Sequence, residues 1–170
     1  GKFTTFAAYE WTLGAAEAHV HRNLIFRDMK VPDYPISALE APNTIELYKW
    51  IKSIRKQGAT VMAIPHNSNL SMGTVFPENK PDGTPFDKEY VESIAEIEPL
   101  VEVFQAKGGS EVHARYWPND EFAGFENYTY DKGQTERNYV RFALKEGLAY
   151  EDQFGTNPYK YGLIGSTDTH

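Results

Sequence analysis

The run Ala59-Thr60-Val61-Met62-Ala63-Ile64-Pro65, followed by His66-Asn67, decides the reading of the fold. Its unbroken apolar character predicts a strand covered on both faces, as in a parallel sheet flanked by helices. A helix leads into it. Asn43 and Glu46 make a capping-box pattern, Leu47, Trp50, Ile51 and Ile54 recur at helical spacing, and Gly58 stands where a C-terminal glycine belongs. Downstream, Tyr90, Val91, Ile94 and Ile97 predict a helix over 87–97, followed by a strand over 100–104. Val140, Ala143, Leu144 and Leu148 predict a helix over 135–148, and 161–164 reads as a last strand. Upstream lie a strand over 3–11, a turn at 14–18 and a short strand over 21–27. Proline- and glycine-bearing stretches at 28–42 and 68–86 read as loops, the second long enough to serve a site. The alternation of strand and helix implies right-handed crossovers and an α/β fold with mostly parallel strands, open or barrel-like.

At 170 residues, with 41% hydrophobic and 14% aromatic residues, the chain suits a single globular domain. Its net charge of -7 argues against nucleic acid or an anionic membrane as a partner, and no apolar run is long enough to span a bilayer. With no cysteine, any metal must be held by histidine and carboxylate. Strand-like sequence begins almost at Gly1 and the chain stops on His170, so it reads as a single-domain segment cut from a longer protein at both ends.

Metal-capable side chains follow several of the predicted strands: Glu10, His66, and Asp168 with His170 in Gly165-Ser166-Thr167-Asp168-Thr169-His170. The C-terminal ends of parallel strands share one rim, the usual address of a catalytic site in such folds. His21 opens its strand and reaches that rim only if the strand runs antiparallel. Imidazole with carboxylate is a ligand set for Zn, Mn or Fe, and such an ion lowers the pKa of bound water. His19 reads as a solvated loop residue, Trp50 as helix core, and His113 as a loop residue suited to binding substrate. Glu102, inside an apolar strand, requires a partner, either Lys107 or a histidine behind the metal. Nucleophile elbows, HExxH helices and glycine-rich phosphate loops are absent from the sequence.

The segments 3–12, 21–27, 63–71, 98–102, 109–111 and 165–170 together resemble the DUF3604 family across essentially the whole chain. That family is similar to the PHP (polymerase and histidinol phosphatase) phosphoesterases. The resemblance implies a distorted (β/α)7 barrel holding two or three Mn, Zn or Fe ions, in a protein exported to the periplasm or secreted. It implies Glu10, His21, His66, Asp168 and His170 as metal ligands, with His66, Asp168 and His170 at the catalytic centre and Glu102 behind them. The first motif of that superfamily, a His-x-His opening the barrel, is read as missing.

The expected activity is therefore metal-dependent hydrolysis of a small phosphate ester by metal-activated water. Arg22, Asn67, Lys107 and His113 are the candidates for binding substrate. An amidase or lactonase on the same ligands is one alternative. Another is a non-catalytic module holding a glycan or a protein through Tyr116, Trp117, Tyr128 and Tyr130.

Overall fold

Only two residues separate Ala15 from Ala18, whereas parallel strands need a crossover of about a dozen. Strand β1 (Ala8–Ala15) accordingly pairs antiparallel with β2 (Ala18–Phe26). The computed structural model describes residues 2–15, 18–128 and 132–169, apart from the side chain of Ala15. Strand β2 also runs antiparallel to β3 (Val61–His66), giving a sheet of order β1-β2-β3. A second sheet has the order β5-β4-β6, built from β4 (Leu100–Gln105), β5 (Gly108–Gly109) and β6 (Gly162–Gly165). Here β4 and β5 are antiparallel, while β4 and β6 are parallel. Strands β3 and β4 run close together without pairing.

This corrects the expected (β/α)7 barrel with mostly parallel strands. The described residues form two small sheets, one antiparallel and one mixed, and neither closes. The physical reason lies in β3. A buried apolar run reports that both faces are covered, and coverage alone does not set strand direction.

Helices α1 (Thr44–Lys56) and α2 (Lys88–Ile97) cover one face of the first sheet. Leu47, Ile51 and Ile54 from α1 and Val91, Ile94 and Ile97 from α2 share a core with Trp11, Leu24, Phe26, Val61 and Ala63. The strict alternation of burial along β2 puts Val20, Arg22 and Leu24 toward this core and His19, His21 and Asn23 on the opposite face. Helix α3 (Val140–Phe154) follows a 3-10 turn at Glu136–Asn138 and runs beyond the predicted end at residue 148. Phe3 and Phe6, expected in the first strand, are exposed and precede it, since pairing with β2 ends where Phe26 N donates to Ala7 O. Among the described residues, no helix is long and apolar enough to cross a membrane.

One half of the predicted capping box forms, with the Asn43 side chain accepting from Glu46 N at 3.0 Å, while the Glu46 carboxylate takes Lys49 Nζ. Replacing Asn43 with alanine leaves that amide without its partner, and is expected to lower stability by about 1 kcal/mol in urea unfolding.

Candidate metal centre

The hairpin and β3 bring three potential metal ligands together. In the register, His21 lies opposite both Thr12 and His66, and Glu10 is diagonal to His21, so all project from the face away from the helices. One ligand atom each from Glu10, His21 and His66 lies within 4.8 Å of the others. Glu10 Oε1 is the hub. It accepts a short hydrogen bond from His21 Nδ1 and another from Thr12 Oγ1 at 2.8 Å, and it stands 3.7 Å from His66 Nε2.

His66 is 0% exposed, and neither ring nitrogen makes a hydrogen bond of good geometry, although the Ile64 backbone lies close enough to favour the protonated ring. An imidazole buried that deeply normally satisfies at least one nitrogen. Its Nε2 instead faces two carboxylates beyond hydrogen-bonding range, Glu10 at 3.7 Å and Asp168 Oδ1 at 4.0 Å. Burial pushes the His66 pKa below its ordinary value, aided by the His21 charge and opposed by both carboxylates. The neutral ring is the form that ligates metal. For Glu10, burial alone would raise the pKa, but the Thr12 and His21 hydrogen bonds hold it below the usual carboxylate range.

Asp168 follows β6 in a left-handed conformation, with φ 54°. Short polar residues tolerate that region best. Its side chain takes a short contact from Lys107 Nζ and a 3.1 Å hydrogen bond from Gln105 Nε2. These outweigh burial and bring its pKa down to about 2. Lys107, expected to meet substrate, is thus engaged with Asp168. His170, expected as a ligand and catalytic residue, and Tyr130 lie outside the described residues.

The remaining candidates are spread more widely. Asn67, directly after His66, is also left-handed at φ 57°, fully buried, and has no partner for either amide atom. Arg22 is on the other face of the sheet, buried and bound through Nε to Glu98 Oε1 at 2.7 Å, rather than on the histidine face where a substrate would meet it. His113 packs its ring against Tyr116 and Tyr139 and accepts from Arg115 N, apart from the Glu10, His21 and His66 group. Tyr116 and Trp117 pack on each other and on Tyr139, whereas Tyr128 is exposed.

Glu102 is 3% exposed, with Oε1 unpartnered. Burial, reinforced by Asp168 and opposed by Lys107, raises its pKa to about 7. A carboxyl whose folded pKa exceeds its unfolded one favours folding while protonated. That contribution is complete below pH about 4.5 and is lost as pH rises through about 7. Replacing Glu102 with glutamine is therefore expected to make the metal-free protein more stable at pH 8 while changing little at pH 4, as read from urea midpoints.

Residues 1–170 match the family described as Protein of unknown function (DUF3604). The chain belongs to the DUF3604 family. No curated protein matches it, and no solved structure does.

In this DUF3604 chain His19 departs from the solvated loop position expected for it. His19 lies on β2, not in a loop, with its ring stacked on His21 at 5.1 Å between centroids and its Nδ1 buried without a partner. Burial and the charges of His21 and Lys107 lower its pKa. His19-Val20-His21 is itself a His-x-His, set inside β2 behind the first strand rather than ahead of it, which is not the place of the barrel-opening motif. The sequence signal for His19 on the strand is the period-two recurrence of Ala18, Val20, Leu24 and Phe26, which extends the strand back to residue 18. Beside the cluster lies a groove of about 420 Å³ lined by Glu10, Asn23, Ser166, Thr167, Asp168 and Thr169, among others.

Proposed function

We propose that this chain carries the metal-binding part of a metal-dependent hydrolase, with a phosphate ester as substrate. The observation that carries the reading is His66, buried without a well-formed hydrogen bond at either ring nitrogen and facing two carboxylates across gaps too long for hydrogen bonds. Glu10, His21 and His66 would hold a Zn, Mn or Fe ion, with Asp168 positioned beside them. When bound, the ion supplies a Lewis acid that activates water and polarises a substrate oxygen.

The chain's own residues serve that chemistry. Thr12 orients Glu10, and burial keeps His66 neutral. Glu10 and His21, already in hydrogen-bond contact, would both serve as ligands to such an ion. Lys107 fixes Asp168, which lines the groove where an ester would lie, and neutralises its charge there. Kinship with the PHP phosphoesterases belongs to this proposal. It rests on the motif resemblance at Glu10, His66 and Asp168, not on barrel architecture.

The test is metal content and turnover of the protein before and after chelation, with Zn, Mn or Fe restored, on 4-nitrophenyl phosphate and 4-nitrophenyl acetate. Chelation is expected to abolish phosphate release, and restored metal to recover it. Turnover that survives complete metal removal would sink the proposal, and cleavage of the acetate alone would overturn its phosphoester part.

A further inference from the structure

We infer that a cavity on the helix side of the first sheet is a binding site for an uncharged, flat, mainly apolar small molecule carrying one hydrogen-bonding group. The cavity measures about 430 Å³. That lies within the range of about 300–1,000 Å³ typical of small-molecule sites. It is independent of the metal centre, because the residues on its floor point away from Glu10, His21 and His66.

The polar atoms of the wall define the ligand. Arg22 and Glu98 are each 2% exposed and form a closed ion pair at 2.7 Å. Arg22 Nη1 also donates to His21 O at 3.2 Å, and Tyr48 Oη donates to Glu98 Oε1 at 2.6 Å. Thr44 and Tyr90 hydroxyls satisfy each other at 2.7 Å. A charged ligand would have to compete with a pair that is already neutral and desolvated, so the site favours a neutral one. Tyr159 Oη is the exception. Its residue is 3% exposed and lines the cavity, and among the described wall residues it is the buried polar atom without a partner. A buried hydroxyl left unmatched is costly, and a ligand hydroxyl or carbonyl would relieve that cost. Val75, Ile94 and the Tyr48, Tyr90 and Tyr159 rings supply apolar surface, while exposed Pro42, Asn79 and Pro81 rim the entrance.

The experiment is calorimetric titration of the intact protein at pH 7 with three probes of similar shape: 2-naphthol, 2-methylnaphthalene and the anion 2-naphthoate. Saturable 1:1 binding of 2-naphthol is expected, at least about tenfold tighter than 2-naphthoate. Tyr159→Phe should weaken 2-naphthol by about three- to tenfold and leave 2-methylnaphthalene unchanged, because only one hydrogen bond is removed. Thr74→Trp, an exposed substitution at the rim, should block all three probes without touching the core. Equal affinity for the neutral and anionic probes, 2-naphthol binding that survives Thr74→Trp, 2-naphthol binding indifferent to Tyr159→Phe, or no saturable binding at all would overturn the assignment.

Discussion

Replacing His66 with alanine is expected to weaken Zn or Mn binding by more than about 100-fold, since losing even an outer partner of a metal ligand costs about 10–100-fold. The same change should cost the metal-free protein little. The imidazole it removes is fully buried with no well-formed hydrogen bond at either nitrogen, and relief of that penalty, about 1–3 kcal/mol, offsets the lost packing. The two effects separate in one experiment, calorimetric metal titration alongside melting in chelator. In the parent protein, metal at 100 times its Kd should add about 2.7 kcal/mol of stability, and the variant should show none of it. A variant that keeps its metal stoichiometry and loses only stability would mean that His66 is a packing residue.

The helices were legible because their signals are local. Asn43 with Glu46, and Leu47, Ile51 and Ile54 at helical spacing, are written within one or two turns, and the structure realises them. Strand direction was not legible, because burial, not orientation, makes 61–66 apolar. The histidine face suffered from the same gap. Once β2 is antiparallel to both neighbours, His21 sits between Glu10 and His66, although Glu10 and His21 lie inside their strands and of the three only His66 closes one. Reading the turn as extending to residue 18 hid His19. The alternation Ala18, Val20, Arg22, Leu24, Phe26 shows which residues turn inward, and it puts a charged guanidinium among them. Sequence marks Arg22 as a cation for substrate, whereas its partner Glu98 is 76 residues away, beyond any local pattern.

That distant pair has the other large expected effect. Glu98→Ala should destabilise the protein by about 3–5 kcal/mol, because it strands a buried charge. Burial opposes the charge on Arg22, but the Glu98 carboxylate holds the guanidinium pKa above its ordinary value, so the group stays charged and needs its partner. Tyr48 loses its acceptor in the same substitution, which adds to the cost. The double variant Arg22→Met/Glu98→Leu should recover most of the loss, since apolar replacement of both members of a buried pair is often neutral or stabilising. Urea unfolding of the parent, both single variants and the double variant gives the coupling directly. Metal titration of the double variant then separates the two faces of β2. Among the described residues, the Arg22 side chain reaches toward the histidine face through its hydrogen bond to His21 O, so affinity should stay within a few-fold of the parent. A loss comparable to that of His66→Ala would place Arg22 in the machinery of the metal site.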